Sequence, residues 1–241
     1  MIQEDSRIQL AAEMAKNGCI SAMLEVVKYY ISHDDKNALV ENIELILCYL
    51  TKLAEENDGF AMRHLGNLYN GGRGVVQDHK KAIEWYEKAS IALDTYAMCS
   101  LGYIYYYGRG DKQDYLKAYK YFSEAAFMKN VNAMYKLGDM YYYGKHVSEN
   151  KDKAFFWYRE AENQPCLDYE ESSIQYRLGL CYLHGHGVDK DLLEAYEYLS
   201  SAEKGLIEQI QDGDTYGIAR LILPQVSEVF ETARKLLYST L

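Results

Sequence analysis

The stretch AMRHLGNLYNGGRGVVQDHKKAIEWYEKAS, from Ala61, returns 36 residues later as AMCSLGYIYYYGRGDKQDYLKAYKYFSEAA, from Ala97. After a further 36 it returns again as AMYKLGDMYYYGKHVSENKDKAFFWYREAE, from Ala133. A fourth copy, IQYRLGLCYLHGHGVDKDLLEAYEYLSSA from Ile174, is displaced by 41, and the five additional residues fall in the linker around ENQPCLDYEES, which holds Pro165. A weaker copy precedes all of these. AMLEVVKYY from Ala22 and LCYLTKLA carry its two halves without the glycine pair, and MAKNGCISAM before them reads as the tail of an earlier helix. A period of about 20–50 residues means stacked supersecondary units, none of which buries its apolar face alone.

Each copy holds two helical patterns. Ala97, Leu101, Ile104 and Tyr105 recur at helical spacing, and Ala118, Tyr121, Phe122 and Ala125 do so after the glycines. Both are apolar stripes with a period near 3.6 residues, so the two helices pair as a hairpin and the hairpins stack. Gly66, Gly102, Gly138 and Gly179 are expected where two helix backbones come close, with Ala82, Ala118, Ala154 and Ala195 facing them. The glycine pairs read as turns between helices. A phosphate-cradling glycine loop follows a strand and opens a helix, whereas Gly108-Arg109-Gly110 follows a helix and has counterparts at the same place in the other strong copies. His146 stands where other copies have Gly74, Gly110 and Gly187, so a positive φ there would be strained.

The motif Ala-x3-Leu-Gly-x2-Tyr-x2-Gly-x-Gly, followed by an acidic residue, Ala, an aromatic pair and Ala, resembles that of the Sel-one-like repeat family, relatives of the tetratricopeptide repeat. The resemblance implies an all-α, right-handed αα-superhelix of about five helix-turn-helix repeats with terminal capping helices, acting as a scaffold for protein–protein contacts without catalysis of its own. Residues 1–241 are then one repeat domain: 1–59 an N-terminal cap and degenerate repeat, 60–202 four repeats, and 203–241 capping helices. In LPQVSEVFETARKLL, Pro224 is expected near a helix start and Val226, Val229, Phe230, Ala233, Leu236 and Leu237 form the capping stripe.

Composition narrows the function classes. The net charge of −10, from 36 acidic and 26 basic residues, argues against nucleic-acid and anionic-membrane partners. Five cysteines at irregular spacing, without CxxC, argue against a disulfide framework, as does the lack of the cysteine pair carried by some secreted members of the family. No signal peptide and no apolar run near 20 residues is seen, so a cytoplasmic location is expected.

Chemical sites are sparse. Cys181, His184 and His186 carry metal-capable atoms, but Cys181 sits at a core register and no fourth ligand is evident, so no metal is expected. QDGDTYG from Gln211 begins like a calcium loop, yet Tyr216 and Leu223 stand where ligands are needed. No nucleophile elbow and no HExxH occurs. No catalytic residue and no cofactor is expected, which leaves a metal-dependent enzyme as the weakest reading.

The remaining signal is 25 tyrosines against 6 phenylalanines, a balance suited to rings packed on one side and wet at the hydroxyl. Tyr69, Tyr105, Tyr141 and Tyr182 hold the motif position and are expected to be structural. The first helix of each hairpin is expected to line the concave face, and its non-core residues include Cys99, Tyr103, Tyr106 and Tyr107 in one copy. Tyr135, Asp139, Tyr142 and Tyr143 follow in the next, then Tyr176, Leu180, Leu183 and His184, with Arg63, Asn67 and Asn70 in the copy from Ala61. The tyrosines are the expected anchors for a protein or peptide partner, and Arg63 and Asp139 the orienting charges. A dedicated inhibitor or immunity-type protein would use the same surface.

Overall fold

The computed structural model describes residues 2–32, 40–110, 112–165, 168–213 and 217–239, with the side chains of 2–6, 32, 168 and 169 left aside. Among these residues there are twelve α-helices and no strand. They are α1 (Ile2–Lys16), α2 (Ile20–Ser32), α3 (Ile43–Glu55), α4 (Gly59–Gly71), α5 (His79–Ile91) and α6 (Thr95–Tyr107). There follow α7 (Tyr115–Phe127), α8 (Val131–Tyr143), α9 (Lys151–Glu162), α10 (Asp168–His184), α11 (Leu192–Gln211) and α12 (Ile218–Ser239). The fold is an all-α repeat. Its contacts gather into two units, Met1–Asp114 and Tyr115–Leu241.

Helix length follows from capping chemistry that repeats with the sequence. Asp58, Asp94 and Asn130, each 36 residues from the next, accept the N–H of Ala61, Ala97 and Ala133 at the start of α4, α6 and α8. Asp78, Asn150 and Asp191 do the same for α5, α9 and α11. An N-cap of this kind is worth about 1 kcal/mol, because it satisfies a backbone donor that the helix leaves orphaned.

A left-handed glycine ends the first helix of each of the four strong copies. Gly72, Gly108 and Gly144 adopt left-handed φ of 65°, 69° and 63°, and the next N–H (Arg73, Arg109, Lys145) turns back to a carbonyl of the same helix. Those N–H groups are therefore spent on the helix itself, as the reading of this element as a helix-ending turn expects. His146 does take the strained conformation, with φ of 66°. A second left-handed position joins one copy to the next: Asn57, Leu93 and Lys129 have φ of 61°, 62° and 66° and lie 36 apart. The next step of 36 reaches Pro165, whose ring locks φ near about −65°. The repeat cannot turn there in the same way, and this is where its spacing lengthens.

Within each unit, every helix packs on its chain neighbours, and the first helices also stack, α4 on α6 and α8 on α10. The apolar stripes are buried as expected: Ala97, Leu101, Ile104 and Tyr105 in α6, and Ala133, Leu137 and Met140 in α8. Each large apolar side chain so buried contributes about 1.5–3 kcal/mol.

The role of the Leu-Gly glycine differs from the expectation. A Cβ on Gly66 would stand 2.5 Å from the Tyr86 ring, one on Gly138 2.5 Å from the Tyr158 ring, and one on Gly179 2.7 Å from Leu199. The missing side chain makes room for a large residue of the second helix, not for a bare backbone. Both tyrosines are buried.

In the second unit α12 closes the stack. Val226 and Ala219 pack with Ala202 and Leu206, while Phe230 and Ala233 pack with Leu183, Ala195 and Leu199. Pro224 does not open this helix, which begins six residues earlier and carries the proline in its interior. An interior proline costs about 3 kcal/mol, and the buried stripe on either side of it offsets that cost.

Two substitutions test this account. Gly138→Ala is expected to lower stability by about 1–3 kcal/mol through overpacking against Tyr158. His146→Gly is expected to raise it by up to about 1 kcal/mol by relieving the left-handed strain. Urea denaturation followed by circular dichroism reads both; no loss in the first or no gain in the second contradicts the packing described.

Candidate functional site

In the first unit, the outward residues of α4 are engaged with their neighbours. Arg63 Nε donates to Asp94 Oδ2 at 3.0 Å, and its guanidinium lies over the rings of Phe60 and Tyr96. Asn67 accepts the Tyr86 hydroxyl at 2.8 Å, and the Asn70 side chain lies 3.1 Å from His79 Nδ1. The charge of Arg63 is thus spent on tying α4 to the cap of α6. Beside it, His64 rests on the Phe60 ring with Nε2 3.2 Å from Arg63 Nη1. Burial, with the Arg63 charge second, pulls its pKa down to about 3. The ring stays neutral and accepts through Nε2.

On α6, Tyr107 is half exposed at 49%, stacks parallel to Tyr103 at 6.2 Å, and meets Tyr106 edge-on at 5.0 Å. Cys99, read onto the same outward face, is buried.

In the second unit, Tyr142 and Tyr143 repeat the pair one period later: edge-on at 4.9 Å, with Tyr143 exposed at 48%. Burial pushes the Tyr142 hydroxyl up to about 12 and raises those of Tyr135 and Tyr176, so all three remain neutral donors. Tyr176 is half-buried against the apolar clusters that include α12. Leu183, also expected to face outward, is buried under Phe230 of that same helix.

Asp139 is placed differently from an outward orienting charge, being only 5% exposed. It accepts the Tyr158 hydroxyl at 2.9 Å and Arg177 Nε at 2.8 Å, with Arg177 Nη2 and Lys136 Nζ each 3.4 Å from its second oxygen. Arg177 is the residue that the sequence reading missed. Its guanidinium lies 6.0 Å from the Tyr135 ring, 5.4 Å from Tyr143 and 5.7 Å from Tyr176, gathering three of the expected anchors around one cation. Desolvation, the largest single effect, works against its charge, but Asp139 together with the surrounding tyrosines Tyr135, Tyr158 and Tyr143 outweighs it and keeps the guanidinium protonated. The signal was present as Tyr135-Lys136 and Tyr176-Arg177, a base after the same tyrosine in both copies.

The Cys181, His184 and His186 group shows no metal geometry. The Cys181 thiol is buried and raised to about 12 by desolvation, and His186 Nδ1 lies 2.9 Å from the Tyr142 hydroxyl. Among the described residues no three His, Cys, Asp or Glu side chains are grouped to hold a metal ion. Asp214, Thr215 and Tyr216 of the calcium-like stretch lie outside the described residues. No helix among them is long and apolar enough to cross a membrane.

The Sel1 repeat profile matches residues 59–92, 95–126, 131–165 and 173–204, more than half of the chain. The chain belongs to the Sel1 repeat family. Proteins built of Sel1 repeats generally mediate protein–protein interactions and are typically non-catalytic scaffolds. A Sel1 repeat protein from Oxalobacter formigenes is similar in structure, with a TM-score of 0.66 and 25% identity over 91% of this chain and 58% of that one. A protective antigen of uropathogenic Escherichia coli with an SLR fold gives 0.67 and 23% over 95% of this chain and 51% of that one. A Sel1 repeat protein from Klebsiella pneumoniae subsp. pneumoniae gives 0.53 and 18% over 91% and 99%. This Sel1 repeat chain therefore spans little more than half the length of the first two. Among curated proteins none matches it.

Two predictions arise from the buried polar groups. The folded pKa of His64 lies below the unfolded value of about 6.5, so its contribution is complete above that pH and is lost as pH falls toward 3. His64→Gln should flatten the decline of stability between about pH 6.5 and 4 in urea titrations; an unchanged slope contradicts this. Asp139→Ala should cost about 3–5 kcal/mol, since it strands Arg177 without its counter-charge. Asp139→Leu combined with Arg177→Met should recover most of that loss, and a double variant as unstable as the single one argues against the pairing.

Proposed function

We propose that this Sel1 repeat chain is a non-catalytic adaptor that holds a protein or peptide partner against the first helices of its repeats. The tyrosines Tyr103, Tyr106, Tyr107, Tyr135, Tyr142, Tyr143 and Tyr176 serve as anchors. Arg63, Asn67, Asn70 and Asp139 act behind them, fixing neighbouring side chains through the bonds described above. One observation carries the reading: the edge-on tyrosine pair at the end of α6 recurs at the end of α8, each with its second ring about half exposed. Tyrosine at such a position offers a large apolar face and a hydroxyl at little conformational cost, the chemistry enriched at protein interfaces.

Tyr107→Ala with Tyr143→Ala removes the two exposed rings without opening the core. The expected outcome is unchanged helicity with loss of the proteins that the wild-type chain retains in affinity capture, quantified by mass spectrometry. Retention of the same proteins at the same level rules the surface out.

A further inference from the structure

The first-helix face of the second unit is more specific than a tyrosine surface, and its specificity lies in how its cations are held. Arg177 uses one edge of its guanidinium on Asp139 and donates a further hydrogen bond to the Tyr135 hydroxyl. That leaves part of its planar donor fork unspent, with no other acceptor among the described residues. Its side chain is 15% exposed, as is that of Lys136, the second base directed at Asp139. The ring centres of Tyr143 and Tyr176 lie 5.4 Å and 5.7 Å from the guanidinium.

A largely buried guanidinium with spare donors, flanked by two tyrosine rings and a lysine, is complementary to a carboxylate, which can bind it bidentately. We propose that this face, at Lys136, Tyr143, Tyr176 and Arg177, receives the Asp or Glu side chains of an acidic peptide segment of a protein partner. This rests on the reading that the first helices bind a partner, and it names the chemistry of that partner.

The net charge of −10 does not oppose this at contact range. Exposed charges are screened beyond about 8 Å at physiological ionic strength, so the groups lining the face decide. The opposing carboxylates there are Asp139, already engaged by both bases, and Glu228 of α12, which biases the Tyr176 hydroxyl. Further along, Lys151 is paired with Glu149 at 3.3 Å.

A random-sequence peptide library panned on the full chain tests this. The selected peptides should be rich in Asp and Glu, and a synthetic copy should bind more weakly as salt rises. Binding of that copy should fall about tenfold or more in Tyr143→Ala and in the Asp139→Leu/Arg177→Met double variant. The double variant avoids stranding the buried charge of Arg177. Glu228→Gln should strengthen binding, because it removes the nearby carboxylate. Selection of basic or neutral peptides, failure to select any, or acidic peptides indifferent to these variants overturns the proposal. Neutral or basic peptides that lose binding in Tyr143→Ala would leave the partner-binding surface standing and reject only its acidic specificity.

Discussion

The ring of a second-helix tyrosine seated over a first-helix glycine is the contact on which the rest of the second unit depends. Tyr158 occupies the space that a side chain at Gly138 would fill, which sets how closely α8 and α9 pack. Its hydroxyl then passes between the helices and donates to Asp139. Asp139 in turn holds Arg177 of α10, and Arg177 draws Tyr135, Tyr143 and Tyr176 together. One glycine, one phenol, one carboxylate and one guanidinium therefore connect the packing of a hairpin to the arrangement of the surface on the next helix.

The first unit reaches the same end with other chemistry. Tyr86 sits over Gly66 and donates to Asn67, a neutral partner at the register of Asp139. The charged bridge between successive first helices moves to Arg63 and Asp94, where the acid is also the N-cap of α6. Buried ion pairs are weak contributors to net stability, because desolvation consumes most of the Coulombic gain. Their effect is better read as fixing register: each joins one repeat to the next at a defined height, and an unpaired partner would be costly.

Most of the fold was legible before any coordinates. The period of 36, the two stripes per period and the glycine turns all reflect local constraints, and all were recovered as helices and turns at the expected places. The recurring N-caps Asp58, Asp94 and Asn130 were equally present in the sequence but were hidden by the stronger apolar signal. Pro224 misled because proline favours a first turn, while here the apolar residues on both sides carry the helix through it.

The candidate surface was legible only in part. By itself the sequence determined that the chain repeats, that each copy is a helical hairpin, and that tyrosines crowd the ends of the first helices, because these follow from periodicity and local backbone chemistry. Only the tertiary structure decided that Asp139 and Arg63 are tied inward, that Cys99 and Leu183 are buried, and that Arg177 gathers the tyrosines. The physical reason is that a helical wheel sorts residues against their own hairpin, whereas Arg63, Asp139 and Leu183 are claimed by a later helix of the same unit. Which partner a polar group finds there depends on distances that no single repeat contains.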